Sequence, residues 1–325
     1  MRTRAGHFFY AMTDFLKPHL TIDEQINLLE ARGLIINDKK QARDYLSMIC
    51  YFRLIPYQRD LQDNQSADHS FFDGITTDNI FQIYFFDREL RLLIFDMIEH
   101  FEVAFRTQLS YHYSVDELPF SNGAGRRWWF EDPKNFKERK IFNQNLRTID
   151  EEIERAKKES IIRHYHSKYT IPKRPPSWIT FEVISLGLLS KIFRLLKLSE
   201  AKKTITKNFN LYSPDLLESW LHTLTYVRNI CAHHGRLWNR TMKVRPQVLT
   251  KPQDIWISDN NVSLDKIYIS LCCGLYLLRV IDPKTKFVAK FNAIVEKYPE
   301  VDLAYMGFPI DWRDEPFWNE DARVL

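Results

Sequence analysis

Glycine is scarce in this chain, with nine in 325 residues. So few argue against a sheet-rich protein or a nucleotide-binding loop, and neither GxxxxGK nor GxGxxG occurs. Cysteine is scarce too. Cys50, Cys231, Cys272 and Cys273 lack CxxC spacing and the adjacent pair cannot easily bridge, so neither a disulfide framework nor a thiolate zinc site is expected. Reduced core thiols in a cytoplasmic protein fit better. The longest apolar run, Ile267 to Leu278, is too short to span a bilayer. Met1-Arg2-Thr3-Arg4 is followed only by a short apolar patch from Phe8 to Met12 and then Asp14, so export is not expected and no membrane partner is implied. A net charge of +4 neither demands nor excludes a nucleic acid, and there is no internal repeat or low-complexity tract.

What is present is apolar and aromatic: 45% hydrophobic and 14% aromatic residues can close a large core. The apolar spacing is helical almost throughout. Thr21-Ile22-Asp23-Glu24 is a capping box that opens a helix ended by Gly33, and Asp38 opens another leading into Tyr51-Phe52-Arg53-Leu54-Ile55-Pro56-Tyr57. A polar loop from Asp63 to Asp78 precedes a helix, Asn79 to about Tyr113, that is apolar nearly all round and therefore buried. Further helices are expected at Phe136–Tyr165, Ser177–Leu196, Glu200–Asn208, Asp215 to about Gly235, Ile267–Ile281 and Ala289–Lys297. Only Lys243–Val248 offers a short strand. The fold class is all-α, with an N-terminal helical region over 1–78, a core over 79–285 carrying an insertion at 120–176, and a C-terminal helix and tail over 286–325.

The most chemically loaded stretch is Arg228-Asn229-Ile230-Cys231-Ala232-His233-His234-Gly235-Arg236-Leu237-Trp238-Asn239-Arg240. Leu216, Leu217, Trp220, Leu224, Val227 and Cys231 recur every three or four places and form its core-facing stripe. If the helix runs past Gly235, then His222, Asn229, His233, Arg236 and Arg240 share a sector of roughly 60° on the other side. If Gly235 ends it, His233 and His234 sit in the last turn. A solvated face is the plain alternative, but an idle surface favours Glu and Lys over Asn and His. Two imidazoles among three guanidinium groups repel a divalent ion, so an anion is the natural guest and no metal is expected.

Other residues add to this. Glu99, Glu102 and Arg106 share an edge of the long buried helix, either as an intrahelical ion pair or as groups facing the Arg228 stripe. Between Pro133 and Pro176 twelve basic residues stand against six acidic ones. Arg126, Arg127 and Trp128, with Gly123 and Gly125 nearby, join cations to rings in a way that suits single-stranded RNA, although tryptophans also simply pin loops. Lys173 and Arg174 lie in the proline-rich break Pro172–Pro176.

Taken in order, these blocks resemble the Abi-like abortive-infection family of bacterial phage-defence proteins within the HEPN helical superfamily. The residues that carry the resemblance are Leu20-Thr21-Ile22-Asp23-Glu24-Gln25 with Gly33-Leu34-Ile35-Ile36, Tyr51-Phe52-Arg53-Leu54 with Tyr57, and Phe86-Asp87-Arg88-Glu89-Leu90-Arg91 leading to Ile98-Glu99 and Arg106. Pro176-Ser177-Trp178, Glu182, Ser185-Leu186-Gly187, the Arg228–Asn239 string, and Met306-Gly307-Phe308-Pro309 with Asp311-Trp312 follow. The resemblance implies a HEPN-type helical bundle, a metal-independent ribonuclease centre at Arg228 and His233, no cofactor, and a homodimer that pairs two such motifs. Arg106-x5-His112 meets the same loose spacing but lacks the Asn-rich context. A neutralising antitoxin, protein or RNA, or a phage-derived trigger is a further implied partner.

On this reading RNA is cut by attack of a ribose 2′-hydroxyl on its own phosphate. His233 serves as acid or base, with its counterpart in a dimer mate or His234 supplying the second proton transfer, because imidazole exchanges protons near neutral pH. Arg228 grips the phosphate oxygens as charge develops. Asn229 orients the imidazole or bonds the ribose; Arg236 and Asn239 support the site or hold flanking phosphates; Arg240 contacts the RNA; Glu99 or Glu102 orients Arg228. A non-catalytic RNA-binding or scaffold protein is the competing class, and a DNA-binding regulator using the N-terminal helices is a third.

Overall fold

The computed structural model describes residues 18–115, 126–258 and 262–319. Among them every regular element is a helix, joined only by isolated bridges, which makes the chain all-α. No helix among the described residues is long and apolar enough to cross a membrane. The chain divides into two compact units, residues 1–81 and 82–325.

In the first unit, α1 (Ile22–Ala31) opens on the expected capping box: Thr21 Oγ1 accepts from the Glu24 amide while Glu24 accepts from the Thr21 amide at 2.7 Å. Gly33, at φ 87°, turns the chain out of it in the left-handed conformation that glycine tolerates. Asp38 caps α2 (Lys39–Met48), which packs on α1, and α3 (Tyr51–Gln58) follows. Ile26, Leu29, Leu34, Leu46, Leu54 and Tyr57 form the core.

The long helix α4 (Thr77–Val115) begins in the first unit and supplies the second from Gln82 onward. Phe86, Leu90, Ile94, Ile98, Phe105 and Leu109 are buried along it. The second unit continues through α5 (Arg139–Arg155), α6 (Ser160–Lys168), α7 (Ser177–Val183), α8 (Leu186–Leu195), α9 (Glu200–Asn208), α10 (Pro214–Ala232), α11 (Ile267–Ile281) and α12 (Phe287–Lys297). Helix α11 is the axis of its core, buried from Ile267 through Arg279, with α10 packed between it and α8. Helices α4, α10 and α11 meet at Gly274, where an added Cβ would lie 2.3 Å from Met97 Cε and 3.4 Å from a Leu224 methyl. The C-terminal segment closes the unit with rings: Phe291 stacks on Phe308 at 5.4 Å, and Trp318 Nε1 donates to Tyr268 Oη at 3.2 Å.

Three expected elements differ. Phe136–Tyr165 is two helices, α5 and α6, because Ile153 and Ile162 are nine residues apart, about 180° round a single helix. The turn between them lets both be buried. Ser177–Leu196 also breaks, at Ile184 and Ser185, where Ser185 caps α8 and is held in turn by Glu152, its amide donating to Oε2 at 2.6 Å. Lys243–Val248 forms no strand. Its backbone lies against α10 instead, with Gln247 N donating to Ser219 Oγ at 2.8 Å and Gln247 O accepting from Trp220 Nε1 at 2.9 Å.

Gly274→Val is expected to destabilise the second unit by about 1–3 kcal/mol through overpacking. Adding Met97→Ala should recover part of that loss, so urea titration of the two singles and the double should show non-additivity.

Candidate functional site

Helix α10 starts with Ser213 as cap and Pro214 in its first turn, and buries Leu216, Leu217, Trp220, Leu224 and Val227. Its far end forms a Schellman motif: the Gly235 amide donates to Ile230 O at 2.8 Å and the His234 amide to Cys231 O at 3.0 Å. The left-handed residue is His234, at φ 56°, and not Gly235. Glycine is needed next door for space, since a Cβ at 235 would lie 3.1 Å from an Ile230 methyl and 3.3 Å from its carbonyl. The helix therefore ends before Gly235. His222, Asn229 and the cap residue His233 stay on one exposed face with His234 beside them, while Arg236 and Arg240 turn away with the following loop.

That loop is held by Asp87 of α4, a fully buried carboxylate. Oδ1 accepts the Trp238 amide at 2.7 Å and the Leu237 amide at 3.0 Å, and Oδ2 pairs with Arg91 one turn further along α4. Leu237 and Trp238 are buried as a result. Arg240 Nη1 reaches back to Arg236 O at 3.3 Å, and Asn239 Oδ1 accepts from Lys266 Nζ at 2.7 Å. Both thus help to fasten the loop.

Arg228 is half-buried in a cavity of about 300 Å³ between α4, α7 and α10. Its guanidinium stands 5.6 Å from the centre of the Phe95 ring, and Nε lies 3.9 Å from Glu102 Oε2, too far for a hydrogen bond. Glu102 also pairs with buried Arg106, whose guanidinium donates to the Phe181 and Ile184 carbonyls at the end of α7. The cavity contains Glu99, Glu102 and Glu182 against Arg106 and Arg228, so carboxylates outnumber guanidinium groups. An anion is disfavoured inside it. His233 does not line this cavity. Five positions along a helix put Arg228 and His233 about 140° apart around the axis, and so the fold brings Arg228 to Glu102 and Phe95 while leaving His233, His234 and Asn229 on the open surface.

The proposed RNA-contacting groups are spread elsewhere. Arg174 grips Asp150 with Nε and Nη2 at 2.7 and 2.8 Å and approaches Glu131 at 3.4 Å; the Asp150 hydrogen bonds hold its pKa above the usual value. Trp128 Nε1 donates to Arg174 O at 2.8 Å and so pins the loop. Arg126 is half-buried, and Arg127 and Lys173 are exposed. Gly123 and Gly125 lie outside the described residues.

Two clusters had no clear sequence signal. On α4 the side chains of Asp96, Glu99 and His100 bring potential ligand atoms within 4.8 Å of one another, all three exposed. The i, i+3, i+4 spacing alone marks it. His112, Gln108 and Asn208 form a hydrogen-bonded trio, with Asn208 Nδ2 2.7 Å from Gln108 Oε1 and 3.0 Å from His112 Nε2; burial lowers the His112 pKa. The long separation of Asn208 from the other two hides this trio in the sequence.

Asp87→Asn should destabilise the second unit by about 3–5 kcal/mol, because buried Arg91 loses this counter-charge. The urea midpoint reads that change. His234→Gly should instead raise stability by up to about 1 kcal/mol, by relieving a left-handed conformation that a side chain disfavours.

The family model described as Abi-like protein matches residues 44–239, more than half of the chain. No curated protein and no solved structure matches the chain. The matched span contains α4, the Asp87 clamp, Arg228 and both exposed imidazoles, and membership of such a family suggests a role in abortive infection. The chain belongs to the Abi-like protein family.

Proposed function

We propose that the chain is a metal-independent endoribonuclease of an abortive-infection system, built on a HEPN-type bundle, with its chemistry at the C-terminal end of α10. The observation that carries this reading is His234. It holds the left-handed cap position at φ 56°, which glycine more commonly takes, and so stands beside exposed His233 and Asn229. Adjacent imidazoles at a helix end can handle both proton transfers. One takes the proton of the 2′-hydroxyl as O2′ bonds to phosphorus. The other gives a proton to the leaving 5′-oxygen as the P–O5′ bond breaks, leaving a 2′,3′-cyclic phosphate and a 5′-hydroxyl.

Arg228 would stabilise the phosphorane by leaving its loose contact with Glu102 and reaching round the helix end. Its Nε has no hydrogen-bond partner among the described residues, which favours such release. Arg106, tied to the α7 carbonyls, holds Glu102 in position and acts as a positioning residue. A second copy of the chain would add another pair of imidazoles, and a toxin of this kind calls for a neutralising partner.

One observation favours the non-catalytic alternative, an RNA-binding or scaffold protein: the carboxylate-rich cavity that holds Arg228 lacks His233. Turnover separates the two. In excess chelator the wild-type protein should cut RNA and leave cyclic-phosphate ends. His233→Ala should lower the rate by about 10²–10⁴-fold, and Arg228→Ala by about 10²–10³-fold. RNA binding without cleavage, or a wild-type rate in His233→Ala, rejects the enzyme.

A further inference from the structure

The first unit contains a cavity of about 1010 Å³ that the nuclease reading does not use. Its volume is at the upper end of what small-molecule sites enclose, roughly 300–1,000 Å³. The charge on its wall is one-sided. Arg32, Arg59, His19 and His69 line it, and among the described residues of the wall there is no aspartate or glutamate. An anion is the complementary guest, in contrast to the carboxylate-rich cavity at Arg228.

The wall also carries unmet hydrogen-bonding capacity. Gln58 is 1% exposed, yet its Nε2 has no partner among the described residues. Gln25, also in the wall, donates through Nε2 to Leu20 O at 3.0 Å, while its Oε1 is buried and unpartnered among the described residues. Both atoms are buried as they stand, so a ligand meets them only once the two amides turn; one spare donor and one spare acceptor then match the mixed edge of a nucleobase. Aromatic surface lies beside them: the Tyr51 and Phe52 rings are 5.7 Å apart and nearly perpendicular, and Phe52 is 70% exposed. Arg32 is fixed by donating to Tyr51 Oη at 3.0 Å, which sets a guanidinium next to the aromatic surface.

We infer that this cavity binds a mononucleotide, with the base between the Gln25 and Gln58 amides and the Tyr51–Phe52 rings, and the phosphate against Arg32 and Arg59. A space of this size suits one nucleotide better than a strand, which needs a track of repeated phosphate contacts. The inference stands apart from the ribonuclease reading and does not require it.

Cys50 supplies the readout. It lines the cavity and is exposed, whereas Cys231, Cys272 and Cys273 are buried, and burial pushes the Cys231 thiol up to about 12. At neutral pH a thiol reagent should therefore modify Cys50 in the intact full-length chain first. AMP, GMP, CMP and UMP would be tested singly, with adenosine and inorganic phosphate as separate arms. At ten times its Kd the preferred nucleotide should slow Cys50 modification by about tenfold. Adenosine and phosphate should each need higher concentrations for the same protection. Gln58→Leu should weaken binding by about tenfold while leaving the melting temperature unchanged or raised, because the lost amide has an unpaired donor. Arg59→Ala, at an exposed position, should weaken nucleotide binding and leave adenosine binding unchanged. The inference is overturned if no nucleotide protects Cys50, if phosphate alone protects as well, or if Gln58→Leu binds as wild type does.

Discussion

The geometry of the Arg228–Arg240 stretch depends on one buried carboxylate. Asp87 accepts two successive backbone amides, Leu237 and Trp238, and pairs with Arg91 in a region from which water is excluded. A chain leaving a helix has amides with no helical partner, and burying them unsatisfied is costly. Asp87 satisfies two of them at once. It thereby fixes where the chain goes after His234 and lets Leu237 and Trp238 join the core. The exposed imidazoles are held between this clamp and the Schellman closure of α10. Both imidazoles lie at the exposed surface of the helix end.

Around Arg228 the electrostatics work in the other direction. Its cavity has more carboxylates than guanidinium groups, and Arg106 is already occupied by the carbonyls that end α7. Arg228 is held there by a ring face and a carboxylate 3.9 Å away, both weak contacts at a half-buried site. Arg228 is thus only loosely fastened where it stands. The first unit has the opposite arrangement, a large cavity whose described wall carries cations, amides and rings and no carboxylate. Each unit thus has its own electrostatic character.

Much of the fold was legible in the sequence. Helix starts announced themselves through Thr21 and Asp38, because capping is a local interaction between a side chain and amides two or three residues away. The breaks at 156–159 and 184–185 were less visible. No glycine or proline marks either, and the first follows only from a nine-residue jump in the apolar spacing, the second from hydrogen bonds contributed by Glu152 and Arg106 of other helices. Arg174 and Trp128 show the same limit. A basic residue beside a tryptophan reads as an RNA surface until Asp150, 24 residues upstream of Arg174, is seen to take its guanidinium.

By itself the sequence determined the all-α class, the buried stripe of α10, the Thr21 capping box and the family, because each rests on spacing along one segment or on residue order. Only the tertiary structure decided that α10 stops at His233, that His234 takes the left-handed position, that Asp87 anchors the loop and that Arg228 faces Glu102 while His233 faces solvent. The physical reason is that those outcomes are settled by competition among groups far apart in the chain for the same hydrogen bonds and the same buried space. Local periodicity carries no information about which of them wins.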